Sequence, residues 1–174
     1  MYPKIVITGI GVVTPLGIGH HLVWDKLLAG ESGIGNLTRF DSSSYRTRIS
    51  GEVKDTSEFQ FSDYDNSRRI DRTVQFALCA AQLALKDANI SRESLPQKRT
   101  GVVLGSGMGG MFFAETQLRQ LYEAGVKKIH PVTVPQVNPN AISNAVAREW
   151  QCLGPNLTIC TACAAGAHSI GQAL

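Results

Sequence analysis

The stretch that most constrains this chain is its last. Leu157 to Ala162 (LTICTA) is a short apolar run of strand type, and it passes without a turn residue into Cys163 and the helical pattern AAGAHSIGQAL. A buried strand handing over directly to a helix is the signature of α/β packing. The helix carries Gly166 and Gly171 in its interior, each costing about 1 kcal/mol relative to Ala. Its other neighbours are also small: Ala162, Ala164, Ala165 and Ala167. Helix propensity does not reward two interior glycines, whereas close approach of another backbone or of a ligand does. A tightly buried helix is therefore expected. The pattern reaches Leu174 without a stop signal, which reads as a piece of a longer chain.

The same alternation runs upstream. Lys4 to Val13 (KIVITGIGVV) predicts an opening strand. His21 to Ala29 predicts a short helix ended by Gly30. Positions 31–65 are polar, Ser-rich and irregular. From Arg68 to Asp87, apolar residues at 70, 74, 77, 78, 81 and 85 mark one face of a strong helix, with Asn66 or Ser67 to cap its start and Asn89 its end. Thr100 to Leu104 reads as a buried strand running into a glycine-rich turn, and Met111 to Ala124 as a helix stopped by Gly125. Asn138-Pro139 opens a further helix to about Gln151. Strands alternating with helices predict an α/β fold with a mixed, mostly parallel sheet.

The 174 residues suit one domain, and 43% hydrophobic with 18% charged residues excludes a disordered chain. A net charge of +3 fits an acidic partner but falls short of a nucleic-acid footprint. The most apolar run, Ile5 to His20, is broken by Gly and Pro, so neither a membrane span nor a secretion signal is read, and a cytoplasmic protein is expected. Four unevenly spaced cysteines without such a signal do not make a disulfide framework; most are expected to be buried, inert thiols.

Four chemistries are open to these residues. Cys163 sits where unpaired first-turn N–H groups and the helix dipole favour a thiolate and could cradle an oxyanion; the competing reading is a small buried thiol. Cys160 and Cys163 form a C-x-x-C with Cys152 and His168 nearby, but their places on a strand, at a helix start and after a helix suit neither a zinc knuckle nor a redox motif. Gly105-Ser106-Gly107-Met108-Gly109-Gly110 satisfies the dinucleotide pattern, yet the acidic residue at the right distance, Glu123, lies in a helix. The alternative is a flexible glycine loop beside a site, with Met108 as an adaptable apolar side chain. Finally, Arg68, Arg69 and Arg72 crowd the first turns of a helix, against its dipole, and Lys127 and Lys128 form a second basic pair. Local pairing with Asp63, Asp65 and Asp71 and docking of an anionic partner both account for them. His130 and His168 read as structural.

With these motifs in place, the sequence resembles the β-ketoacyl-[acyl carrier protein] synthases of the elongating II type, in the thiolase-like superfamily. The likeness rests on VITGIGVVTPLG, LLAGESGI, RRIDRTVQFAL, VVLGSGMGG and the segment from KKIHPVTVP to TACAAGAHSIG. It implies the N-terminal half of an αβαβα layered condensing enzyme, over 1–174, that ends before the C-terminal half. It implies Cys163 as the nucleophile accepting the acyl chain, with its N–H as half of an oxyanion hole, and Met108 as the acyl-pocket gate. Arg68, Arg69, Lys127 and Lys128 match positions where an acyl carrier protein, bearing acyl and malonyl thioesters, docks. The resemblance implies no cofactor or metal, and a homodimer or a heterodimer with a related subunit. Chain-length-factor subunits carry Gln at the nucleophile position, so Cys163 points to a catalytic subunit. The two histidines and the lysine that such enzymes use for decarboxylation fall beyond Leu174, and Ala165 stands where many relatives have Ser or Thr. A nicotinamide-binding oxidoreductase domain and a non-catalytic carrier-binding subunit remain the alternatives.

Overall fold

A computed structural model describes residues 4–53 and 70–174. These fall into two compact units, one of positions 7–53 and 79–90, the other of 4–6, 70–78 and 91–174. In the first unit, a tight ribbon of β1 (Val13–Thr14) and β2 (Gly17–Ile18) leads into helix α1 (His20–Leu28), and a second antiparallel ribbon joins β3 (Ile34–Asn36) to β4 (Ile49–Gly51). Helix α2 (Arg72–Asp87) contributes its residues 79–87 to this unit and 72–78 to the second. Its end is a left-handed cap: Asn89 has φ 55, and the Ile90 N–H reaches back to the Leu85 carbonyl at 2.9 Å.

The predicted opening strand over Lys4–Val13 is not formed; only Val13 pairs, within β1. A sequence that looks like a ladder strand is used here as a strap. A Cβ on Gly11 would collide with the Ala80 carbonyl, so the glycines let the backbone lie against α2. The Ile10 N–H is taken by the Asp87 carboxylate at 2.8 Å rather than by a neighbouring strand.

The second unit holds the parallel pairing that the strand–helix alternation predicts. Strands β5 (Val102–Gly105) and β6 (Asn156–Ile159) run in parallel, in register from Val102 opposite Asn156 to Gly105 opposite Ile159. Between them lie α3 (Met111–Ala124), a 3₁₀ turn over Val126–Lys128, α4 (Thr133–Val137) and α5 (Ala141–Glu149); α6 (Ala165–Ala173) follows β6. The core is built on α5, whose Ala141, Ile142, Ala145, Val146 and Ala147 are buried, together with Val74 and Leu78 of α2, Phe113 and Trp150. Glycine ends α3 as expected, at Gly125 with φ 80. The helix expected from Asn138 starts three residues later because Asn138 and Pro139 form the turn into it, the Ala141 N–H donating to the Asn138 carbonyl.

Two burial expectations are corrected. β6 is not fully buried: Leu157 is 42% exposed, since among the described strands β6 has a partner, β5, on one edge. Helix α6 is likewise not tightly enclosed: of its residues only Ala165 and Ser169 are buried, the pair that faces the strands. Cysteine burial follows the same pattern. Cys79 is buried and Cys152 partly so, while Cys160 and Cys163, at the outer end of β6 and beyond it, are exposed.

Candidate active site

The backbone turns sharply where β6 ends. After Ile159 the chain passes through Cys160 and Thr161, then through Ala162, whose φ of 49 lies in the left-handed region. Such a conformation costs a non-glycine residue on the order of 1 kcal/mol and persists only where the surroundings impose it. Here the constraint is a 3₁₀ turn over Ala162–Ala164, closed by the Ala164 N–H on the Thr161 carbonyl at 3.1 Å. Cys163 sits at the centre of that turn, with an exposed thiol. It therefore precedes α6 by two residues rather than opening the helix, as the sequence suggested. A second tie spans the turn, Thr161 Oγ1 to His168 Nδ1 at 2.8 Å, linking the end of β6 to α6. His168 thus sits in the local scaffold around Cys163. His130 is also part of a scaffold, its N–H donating to Gln117 Oε1 at 2.8 Å and its Nδ1 accepting the Val132 N–H at 3.2 Å.

The glycine-rich turn lies beside this site because β5 is the partner of β6. The Ser106 N–H continues the ladder onto the Ile159 carbonyl at 2.9 Å, and Ser106 Oγ accepts the Gly109 N–H at 3.1 Å. A Cβ on Gly105 would collide with the Ala165 carbonyl and come within 2.9 Å of the Gly166 nitrogen. The close backbone approach inferred from the glycines of α6 is therefore made by Gly105, whereas Gly166 and Gly171 have nothing within 4 Å of a built Cβ. On the far side of the turn, a Cβ on Gly110 would collide with the Gln136 carbonyl. Gly105 and Gly110 serve packing, and the Gly109 N–H is engaged by Ser106, while Gly107 has nothing within 4 Å of a built Cβ. Met108, at the tip, is 67% exposed, with Met111 and Phe112 exposed after it.

Lys127 and Lys128 occupy the 3₁₀ turn after α3, exposed, with no carboxylate within 4 Å among the described residues. Arg68 and Arg69 lie outside the described residues, as do Asp63 and Asp65. Arg72, at the start of α2, stands over the Phe76 ring with its guanidinium carbon 5.0 Å from the centroid. Asp71, expected among the carboxylates pairing those arginines, also accepts two backbone N–H groups. It is 1% exposed, and its two oxygens accept the N–H groups of Thr73 at 2.8 Å and Phe113 at 2.9 Å. An aspartate just before a helix start is a capping signal, and placing the helix start at Arg68 hid it. Among the described residues, no three His, Cys, Asp or Glu side chains gather as a metal site.

The family model for the β-ketoacyl synthase N-terminal domain matches residues 3–174. The 3-oxoacyl-[acyl-carrier-protein] synthase 2 of Coxiella burnetii is 41% identical over 170 residues, which are 98% of this chain and 41% of that protein. The protein of the same name from Synechocystis is 39% identical over the same shares. The chain thus spans about two fifths of the length of these relatives. Among solved structures, the ishigamide ketosynthase/chain length factor superposes with a TM-score of 0.84 at 30% identity, covering 96% of this chain and 42% of that one. A β-ketoacyl synthase from Burkholderia phymatum gives 0.77 at 26% identity, covering 97% and 42%.

Proposed function

The chain belongs to the β-ketoacyl synthase family, matching its N-terminal domain, and from that premise we propose that Cys163 is the acyl-accepting nucleophile of a β-ketoacyl-[acyl carrier protein] synthase. The observation that carries the reading is an exposed thiol held in a strained turn between β6 and α6, inside TACAAGAHS. In the first stage the Cys163 thiolate attacks the carbonyl of an acyl thioester on the carrier. The new carbon–sulfur bond forms as the bond to the carrier sulfur breaks, and the carrier leaves as its thiolate, which takes up a proton equivalent to the one Cys163 gave up. The Cys163 N–H supplies one donor to the oxyanion that forms on the way. In the second stage a malonyl thioester loses carbon dioxide, and the carbanion attacks the acyl-enzyme, making a carbon–carbon bond and freeing Cys163. His130 and His168 take no part in that decarboxylation, each being held in local scaffold contacts.

Met108 gates the acyl pocket from the tip of the turn next to Cys163. Lys127 and Lys128, joined by Arg68 and Arg69 on the sequence pattern, receive the acidic carrier protein; long-range attraction speeds such encounters more than it tightens them. We further propose pairing with a second copy or with a related subunit. A structural relative named as a ketosynthase/chain length factor supports the second form. A cytoplasmic setting fits this chemistry; no helix among the described residues is long and apolar enough to cross a membrane.

The test uses the complete product of the gene. Cys163→Ala is expected to abolish condensation while acyl-carrier binding persists. Retained condensation would remove Cys163 from the mechanism, and absence of condensation in the unmodified protein under all pairings would favour a carrier-binding subunit without chemistry. The nicotinamide reading is not favoured, because the chain matches the β-ketoacyl synthase N-terminal domain over residues 3–174, and Gly105 and Gly110 of the turn are packed against α6 and the Gln136 backbone.

A further inference from the structure

Asp71 is a buried carboxylate that the acylation chemistry does not use. It lies immediately before α2, where its Oδ1 accepts the Thr73 N–H in the manner of an N-cap. Its Oδ2 crosses to a second helix and accepts the N–H of Phe113, in the first turn of α3. One side chain therefore satisfies donors at the starts of two helices.

The second bond matters because α3 cannot cap itself. Its N-cap position is Gly110, which has no side-chain oxygen. No side chain can be placed there, since a Cβ would collide with the Gln136 carbonyl. The donor that a local Ser or Asp would satisfy is satisfied from α2 instead. Upstream, the turn is fixed to the sheet by the Ser106 N–H on Ile159. Between these anchors Gly107 touches nothing within 4 Å of a built Cβ, and Met108 is largely exposed. Met108 is thus presented by a turn closed on itself by the Ser106–Gly109 bond and held at its two ends, one by β6 and the other by Asp71 together with the packing of Gly110 on Gln136. Cys163 sits on the turn between β6 and α6, braced by the Thr161–His168 tie, and neither bond of Asp71 is made to that turn.

We propose that Asp71 is a positioning residue for acyl-chain selection, fixing the start of α3 and thereby the turn that presents Met108. The inference rests on Met108 being the acyl gate. It differs from a purely structural role in one respect: disturbing Asp71 should alter discrimination between acyl chains while leaving the intrinsic reactivity of Cys163 in place.

Asp71→Ser isolates the cross-helix bond. Serine still caps α2, but its hydroxyl is one atom too short to replace the reach to Phe113. In the complete gene product, acylation by a short-chain and a long-chain acyl thioester is measured beside alkylation of Cys163 by iodoacetamide, a probe small enough to ignore the gate. The expected result is a change of about tenfold in the long-to-short ratio of kcat/KM, carried mainly by KM, with the alkylation rate held within about twofold. An unchanged ratio, or a parallel fall of both acylations and of alkylation, overturns the proposal. If Asp71→Ser does not fold, Asp71→Asn, nearly isosteric, is read in the same way; failure of both to fold assigns Asp71 to stability alone and also overturns it. Met108→Ala is the control on the premise. If it leaves the ratio unmoved, the gate reading fails; if it moves the ratio and Asp71→Ser does not, only the role of Asp71 fails.

Discussion

Four cysteines share this chain, and their surroundings separate them. Burial pushes the Cys152 thiol up from its ordinary value, so at mildly alkaline pH less of it is thiolate. Cys163 is exposed on its turn. Timed alkylation at about pH 8 with peptide mapping is expected to label Cys163 well before Cys152; the opposite order would contradict the placement of both side chains. A second residue-scale device is the clasp of Glu52 on Thr38, which donates its hydroxyl at 2.7 Å and its N–H at 3.0 Å. Those bonds, the hydroxyl first, hold the Glu52 carboxyl below its ordinary value. A depressed carboxyl stabilises the fold above its unfolded pKa, near ~4.3, and loses that contribution only as pH falls through the lower folded value. The protection of the Thr38 amide relative to its intrinsic exchange is therefore expected to hold down to the ordinary glutamate range and to fall below it. Loss of protection at neutral pH would refute the clasp.

At the scale of elements, sequence patterns served best where a local rule and the packing agree. The apolar face of α2, its end at Asn89 and the span of α3 to Gly125 follow from helical period and cap chemistry, and the structure has them. Lys4–Val13 misled because β-branched residues favour a strand wherever a partner strand exists, whereas Gly9, Gly11 and the Asp87 carboxylate seat this segment on a helix. The two glycines inside α6 misled, since nothing comes within 4 Å of a Cβ built on either, and the close contact with α6 is made by Gly105 of β5. Cys163, Met108 and the lysine pair were legible as motif positions. Asp71 was not, because its value lies in reaching a helix more than thirty residues away in sequence. Gly105→Ala is expected to destabilise the protein by about 1–3 kcal/mol, since β5 and α6 would have to part. Gly107→Ala, with nothing near its built Cβ, should stay within about 0.5 kcal/mol. Thermal unfolding of the two variants decides it, and equal losses would show that the β5–α6 contact is loose.

At the scale of the whole molecule, the proposed carrier docking rests on charge. Lys127 and Lys128 stand exposed and without a carboxylate among the described residues. Reversing both to Glu is expected to slow carrier association and flatten its salt dependence while acylation by a small thioester that needs no docking persists. Unchanged association kinetics would place the carrier elsewhere. We propose, above all, that a single sulfur on a strained turn takes the acyl group. Incubating the complete gene product with acyl-carrier protein, then mapping the acylated peptide by mass spectrometry, tests it directly. The acyl mass is expected on Cys163 alone and absent from Cys163→Ala, whereas an acyl group on Cys160, three residues away and also exposed, would contradict it.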